Sequence, residues 1–376
     1  MTVWRETPRA LLTGAQTGGH LYPAVALGRW LAGKGVEVVL AASGEAAEAN
    51  VLKGVPFKVE VLRVGKLKGM GWRTRIAGAA SLPGGLWRAR ALVRRLRPDV
   101  VVGFGGYTTG PVVLAAAMLG VPTAICEENS VPGLTNRLLA RFARKVFVAY
   151  EQAGARLSAK RSIRTGVPVR PEVLEVPEKA YLQPGRRVLV FGGSQGSRFL
   201  NRRVPPVLRL LQKRLPGIEV LHQAGRGNGE EAREIYAALG MAADVREYLD
   251  DMAAAYAWAD VVVARSGAGT VSEISAIGLP AMFVPFAAAT DDHQAGNAVP
   301  LVEAGGAMML REEAFDEAQV AGSLAALLGD PAAMQAMARA SRSQGRRAAL
   351  DAMGEEVLRM MGGKAGTSVS GDRAGG

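Results

Sequence analysis

Six short polar clusters carry the residue types that bind phosphate, hold a sugar or move a proton. Ser266-Gly267-Ala268-Gly269-Thr270 follows the apolar run Val261–Ala264 and leads into a helix beginning near Val271, a turn that aims free backbone N–H groups at one point. A helix N-terminus carries about half a unit of positive charge, so that point suits a phosphate. Glu273 returns to the mouth of the turn, where its carboxylate can accept hydrogen bonds from the vicinal hydroxyls of a sugar. The next apolar run, Pro280 to Phe286, ends in a loop holding Asp291, Asp292, His293, Gln294 and Asn297. Near the N-terminus, Gly14-Ala15-Gln16-Thr17-Gly18-Gly19-His20 lies between a strand and a helix expected from about Tyr22 to Ala32, with Pro23 in its first turn. Its glycines fit neither the dinucleotide fingerprint nor the Gly-Lys-Ser/Thr ending of a P-loop. His20 at the loop tip can move a proton near neutral pH, and a simple loop-capping role is equally open on spacing alone. Gly105-Gly106-Tyr107 and Gly192-Gly193-Ser194-Gln195-Gly196-Ser197 form further glycine loops after apolar runs, and Glu127-Glu128-Asn129 brings two adjacent carboxylates, of which only one is expected to function.

These clusters need parallel strands to position them. Short apolar runs at 10–12, 36–41, 57–64, 100–104, 123–126 and 145–149 alternate with Ala/Leu-rich helical stretches, and the pattern restarts at 187–191, 218–222, 244–248, 261–264 and 282–285. Pro205-Pro206 should break or kink the helix that opens at Arg198. With 376 residues, 47 glycines and 49% apolar residues, the chain reads as α/β, two Rossmann-like doubly wound domains facing a central cleft, with the clusters at the carboxyl ends of their strands. The expected divisions are an N-terminal domain over 1–165, a proline-rich linker over 166–184, a second domain over 185–340, a helix over 341–361 and a disordered tail over 362–376. Whether that last helix packs back on the first domain stays open. His222 and Gln223, at a strand end, read as structural.

Other chemistry is excluded or narrowed. One cysteine, Cys126, permits no internal disulfide framework and reads as a buried strand residue. Neither an Asp-x-Asp pair nor a His/Cys cluster is present, so no metal and no cofactor is expected, and Arg265 or Arg170 with the helix N-termini are the candidates to balance a diphosphate. The N-terminal stretch lacks the apolar core of a signal peptide, so export is not expected. The uncharged stretch Val100 to Cys126 is cut by glycines and prolines and is no membrane span. Of the formal charge of +12, ten positive residues lie between Arg63 and Arg97, interspersed with Leu67, Met70, Trp72, Ile76, Leu82, Leu86 and Trp87 and with no acid. An anionic membrane surface, a solvated basic helix and a nucleic-acid patch all fit; the last lacks any accompanying nucleic-acid motif.

Taken together, Thr17-Gly18-Gly19-His20, Gly105-Gly106-Tyr107, Glu127-x-Asn129, Gly192-Gly193-Ser194-Gln195-Gly196, Asp250-Asp251-Met252 to Ala259-Asp260, and Arg265-Ser266-Gly267 through Ser272-Glu273 resemble the MurG family of bacterial peptidoglycan glycosyltransferases, in order and spacing from about Ala10 to about Met361. The resemblance implies a GT-B fold and inverting, metal-independent transfer of N-acetylglucosamine from UDP-GlcNAc to undecaprenyl-diphospho-muramoyl-pentapeptide (lipid I), giving lipid II with a β1→4 link. It implies donor contacts at Thr17, Gly18, Gly19, Asn129, Arg170, Ser194, Leu249, Ala268, Gly269, Thr270, Val271, Ser272, Glu273 and Gln294, with Glu273 on the ribose and backbone near Leu249 on the uracil. Acceptor contacts would come from Gly14, His20, Gly105, Gly106 and Tyr107, and the catalytic base from His20 or, second, Glu127. A peripheral location on the cytoplasmic face of the cell membrane follows, through the basic segment and the anionic inner leaflet, with other cell-wall synthesis proteins as further partners and no nucleic acid. Ala15-Gln16, Cys126, Glu128 and Gly269 depart from the family pattern. A UDP-GlcNAc 2-epimerase and a non-catalytic membrane scaffold are the alternative readings.

Overall fold

The computed structural model describes residues 7–14, 18–45, 48–62, 72–158 and 160–362, and of residues 18, 49, 50 and 72–82 only the backbone. Thr17, the departing pair Ala15-Gln16, the basic residues from Arg63 to Lys68 and the tail from 363 lie outside the described residues. The chain forms two compact units, the first made of 1–128, 132–168 and 348–376, the second of 129–131 and 169–347.

In the first unit, β1 (Arg9–Thr13), α1 (Gly18–Gly33), β2 (Glu37–Ala42), α2 (Ala49–Leu52), β3 (Lys58–Val61), α3 (Trp72–Leu96), β4 (Val100–Gly103), α4 (Thr109–Met118), β5 (Thr123–Glu127), α5 (Leu134–Leu139), β6 (Lys145–Val148), α6 (Glu151–Leu157) and β7 (Ser162–Arg164) alternate. Every strand pair is parallel, in the order β3-β2-β1-β4-β5-β6-β7. Such a sheet is apolar on both faces because helices cover both. Leu12, Leu40 and Val102 pack on one side with Leu21 and Leu27 of α1, while Leu11, Val39 and Val101 pack on the other with Leu92 and Val93 of α3 and Val112 of α4.

The second unit holds α7 (Pro171–Leu174), β8 (Arg187–Phe191), α8 (Arg198–Arg214), β9 (Glu219–Gln223), α9 (Gly229–Ala238), β10 (Asp244–Arg246), α10 (Met252–Trp258), β11 (Val261–Ala264), α11 (Ala268–Ile277), β12 (Ala281–Phe283), α12 (His293–Glu303), β13 (Met308–Met309), α13 (Glu317–Gly329) and α14 (Pro331–Gln344). Its parallel sheet runs β10-β9-β8-β11-β12-β13. The last helix, α15 (Ala349–Met360), belongs to the first unit: Met353 and Val357 join its core beside α1, and Trp30 Nε1 donates to Asp351 Oδ1 at 2.7 Å.

Two local expectations are corrected. The first helix starts at Gly18, so Pro23 lies inside it rather than in its first turn, where its ring leaves the Gly19 carbonyl without the usual N–H partner. The double proline at 205–206 does not break α8, which runs unbroken for 17 residues. Burial of Leu200, Val204, Val207, Leu208 and Leu211 on the sheet, with the Ser197 hydroxyl accepting the Leu200 N–H, outweighs the lost backbone bonds.

His222 is a packing residue. Fully buried, its Nε2 faces Asn201 Oδ1 at 3.1 Å and its Nδ1 the Tyr236 hydroxyl at 2.9 Å. Asn201 donates its amide to the Ala224 carbonyl, so its Oδ1 accepts from a neutral, Nε2-protonated imidazole. Burial lowers the His222 pKa from 6.5 to about 4. The unfolded chain therefore binds a proton that the folded one refuses; the stability this protects is complete above pH 6.5 and is lost as pH falls toward 4, by up to about 3 kcal/mol. Urea titrations of the protein and of His222→Gln should show a shallower decline of the midpoint between these pH values in the variant; identical slopes would contradict it.

Candidate active site

Both sheets change winding direction once, between β1 and β4 and between β8 and β11, and in such folds ligands bind at the carboxyl ends of the strands beside that point. In the second unit the register Ala264 to Phe191 puts the Gly192–Ser197 loop beside the Arg265–Thr270 turn. Gly196, with φ of 75°, packs so tightly that any side chain there would meet the Ala224 carbonyl. No side chain caps α11, so its first N–H groups stay available to an anion, and the fully buried Ser266 Oγ beside them has no hydrogen-bond partner. Gly267, Gly269, Thr270, Ser272 and Glu273 are partly open, whereas the side chains of Ala268 and Val271 are buried, leaving only their main chain to a ligand. Ser194 is exposed on the neighbouring loop.

Arg265 is held by protein partners. Its Nε donates to Ser197 Oγ at 3.0 Å, its Nη1 to the Val284 and Pro285 carbonyls at 3.0 Å each, and Glu312 pairs with Nη1 at 2.5 Å. Buried and stacked against Phe199 and Phe286, the guanidinium fastens the ends of β11 and β12 together.

Glu273 is not a free carboxylate. Arg170 grips it in a fork, Nε to Oε1 at 2.8 Å and Nη2 to Oε2 at 3.1 Å, and the fully buried Tyr256 donates its hydroxyl to Oε2 at 2.9 Å. Burial first, then the negative charge of Glu273, pushes the Tyr256 phenol well above its usual pKa, so it stays a donor. Two bonds in a fork fix the carboxylate's plane, and carboxylate oxygens keep further lone pairs for vicinal hydroxyls. Leu249 is buried, so only its main chain can read a base. Asn297 Nδ2 donates to Asn129 Oδ1 at 3.1 Å and to the Ser266 carbonyl at 3.2 Å, while its Oδ1 accepts the Ser130 N–H at 2.9 Å, which ties Asn129 to the glycine turn. Gln294 Oε1 accepts the Phe286 N–H at 3.0 Å, and Asp291 and Asp292 take left-handed backbone with φ of 54° and 52°.

In the first unit, Gly14 follows β1, Gly105 to Tyr107 follow β4, Glu127 ends β5 and Glu128 comes just after it. Thr109 accepts the Gly105 N–H at 3.2 Å and donates to the Gly105 carbonyl at 2.6 Å, holding a glycine whose φ is 109°. A side chain at Gly105 would stand 2.9 Å from His20 Cε1 and Nδ1, so only glycine lets the imidazole lie there. His20 Nδ1 sits 3.7 Å from Glu128 Oε2, at ion-pair range, with 32% of the histidine side chain open and 3% of the glutamate's. Burial works to lower the His20 pKa, but Glu128, Glu127 and the Phe104 main chain outweigh it, and the net shift is upward. Glu127 is committed differently: its Oε2 accepts the Gly133 N–H at 3.0 Å and the Asn136 amide at 2.9 Å, shaping the turn into α5. Burial, then Glu128 and Glu127, keeps the Cys126 thiol neutral by pushing its pKa well up.

Tyr256 and Thr109 had no sequence signal, since tyrosines and threonines on helices are common and only the fold brings these to the loops, and Glu128 was legible as one of two adjacent carboxylates but not by its partner. Asn297 stood in a legible polar loop, but its partner Asn129 is 168 residues away.

Two parallel α/β units with glycine turns at their winding-reversal points, one beside a forked carboxylate and one beside a histidine, fit a glycosyltransferase of the two-unit GT-B architecture. Residues 10–148 match the N-terminal domain and residues 187–353 the C-terminal domain of glycosyltransferase family 28, and the chain belongs to that family. The chain is 39% identical, over 95% of its length and 96% of the relative's, to the UDP-N-acetylglucosamine--N-acetylmuramyl-(pentapeptide) pyrophosphoryl-undecaprenol N-acetylglucosamine transferase of Anaeromyxobacter sp. (strain Fw109-5). It is 37% identical to the protein of the same name from Aeromonas hydrophila, over 94% of this chain and 97% of the other. Among solved structures, MurG from Acinetobacter baumannii superimposes with a TM-score of 0.75 at 29% identity, covering 94% of this chain and 100% of that one. The UDP-GlcNAc 2-epimerase of Neisseria meningitidis, with a TM-score of 0.67 at 15% identity over 93% of this chain and 100% of its own, shares the fold alone.

Proposed function

We propose that this family 28 enzyme transfers N-acetylglucosamine from UDP-GlcNAc to lipid I, forming lipid II with inversion, and that it does so without a metal ion. The observation that carries this reading is the forked Glu273 beside the uncapped start of α11, in a chain whose relatives bear that transferase name. In this reading the α11 N–H groups with Thr270, Ser272 and Ser194 take the diphosphate, Glu273 the ribose and the Leu249 main chain the uracil. Asn129, Gln294, Thr17, Gly18 and Gly19 complete the donor contacts that the family resemblance implies. The first unit's loops at Gly14 and at Gly105 to Tyr107 take the acceptor diphosphate. His20 removes the proton from the acceptor 4-hydroxyl as it attacks the anomeric carbon opposite UDP, and helix N-termini stabilise the departing diphosphate. His20 is favoured over Glu127 because the Glu127 carboxylate already holds Gly133 and Asn136.

UDP release from UDP-GlcNAc in the presence of EDTA tests the reading against the epimerase: release should require lipid I. Release of UDP or sugar from the donor alone would favour the epimerase.

The reading extends to the cytoplasmic face of the membrane. No described helix is long and apolar enough to cross a bilayer. The second half of α3 instead exposes Trp87, at 72%, beside Arg88, Arg94 and Arg95, the last paired with Glu60 at 2.9 Å. Leu134 and Leu138 on α5 and Phe142 in the turn after it add exposed apolar side chains, near Arg137 and Arg141 in sequence. Each basic residue near anionic lipid contributes about 1 kcal/mol. Flotation with vesicles containing anionic phospholipid should therefore show binding that falls at least about fivefold in Trp87→Ala/Arg94→Glu, in line with that contribution; equal flotation with neutral vesicles would contradict it.

A further inference from the structure

We propose that Glu128 is a positioning residue for proton removal, its buried carboxylate turned onto the Nδ1 edge of His20 so that Nε2 is the nitrogen left to meet the acceptor hydroxyl. The inference rests on His20 as the base and names what prepares it. Glu128 is 3% exposed and stands 3.7 Å from Nδ1; both Nδ1 and Glu128 Oε1 are buried without a hydrogen-bond partner, so nothing else in the fold explains why a carboxylate is kept there. Glycine at 105 leaves space beside the Nδ1–Cε1 edge of the ring, where a Cβ would stand 2.9 Å from both atoms. The groups facing the imidazole are Glu128 after β5, Glu127 at the end of β5 and the Phe104 main chain after β4, with Cys126 neutral behind the carboxylates. None of these carries positive charge, and the closest is Glu128.

The consequence is a carboxylate–imidazole couple. A proton on Nδ1 faces Glu128, which fixes the tautomer, and when Nε2 takes the hydroxyl proton the resulting imidazolium lies against a negative charge. Burial raises the Glu128 pKa and His20 opposes that rise, so the carboxylate ionises most readily when the histidine is charged.

Glu128→Gln separates orientation from charge, because an amide of the same size still faces Nδ1. With the three histidines labelled with 13C, and the His20 signal assigned by its loss in His20→Ala, the His20 titration is expected to move down by about one pH unit in Glu128→Gln. The acidic limb of kcat/KM should move down with it and kcat at neutral pH should fall about tenfold or more. Glu128→Asp, which keeps the charge one methylene farther off, should lie between the two. An unmoved His20 titration in a folded Glu128→Gln protein overturns the proposal and leaves the base assignment standing. A titration that moves while the rate profile does not overturns the proposal too, and removes His20 from the reaction.

Discussion

Replacing His20 by alanine is expected to lower kcat by about a hundredfold or more, the usual contribution of a positioned general base, with the KM for UDP-GlcNAc changed by less than about threefold, a change smaller than one hydrogen bond is worth. The split follows from the geometry. His20 lies in the first turn of α1 in the first unit, whereas Glu273, Arg170 and Tyr256, the groups assigned to the donor ribose, lie in the second. Because burial is outweighed by Glu128, Glu127 and the Phe104 main chain, the imidazole holds its proton to a pH above 6.5. A base must be unprotonated to act, so the acidic limb of kcat/KM should lie above 6.5 and turnover should rise as pH climbs through it. A steady-state profile with saturating lipid acceptor checks both statements. Unchanged turnover in His20→Ala would falsify the base assignment, and a larger loss in Glu127→Gln would transfer the role to that residue.

Replacing Glu273 by alanine is expected to weaken UDP-GlcNAc binding by about tenfold to a hundredfold, the worth of hydrogen bonds to a charged group, with a much smaller effect on kcat. The same change strands Arg170 and Tyr256, whose fork and hydroxyl now meet the carboxylate within 3.1 Å, so a loss of stability of about 1–3 kcal/mol accompanies it. Glu273→Gln separates the two effects, since an amide oxygen still accepts from Tyr256 while the charge that Arg170 and the ribose read is gone. Calorimetric titration of UDP into each folded variant decides: a normal donor affinity in Glu273→Gln and Glu273→Ala would contradict the ribose role, whatever the melting temperature does.

The parallel sheets were legible because strands buried on both faces are written as short apolar runs bounded by glycine, and eleven of the thirteen strands among the described residues were expected within about three residues at each end. Of the run Phe57 to Val64, Leu62 lies past the four-residue β3 and 63–64 lie outside the described residues, while β7 and β13, of three and two residues, carry too little apolar sequence to stand out. Helix starts and stops were harder. Gly18 and Gly19 read as loop, yet they open α1, and the prolines of α8 read as a break that core packing overrides. The glycine turns and Glu273 were legible from local order, but the state of each side chain was not. Glu273 is forked by Arg170, 103 residues away, and Arg265 is already held by Ser197 and Glu312. Glu128 departs from the family pattern in type, and only the approach of β5 to α1 gives it a partner.

Labelled UDP-GlcNAc, incubated with the full-length protein, lipid I and EDTA, tests the central claim most directly. The account predicts label in lipid II, with the new anomeric centre of β configuration by NMR and no transfer when lipid I is left out. Absence of label in the lipid product, with lipid I intact and the protein folded, would contradict it.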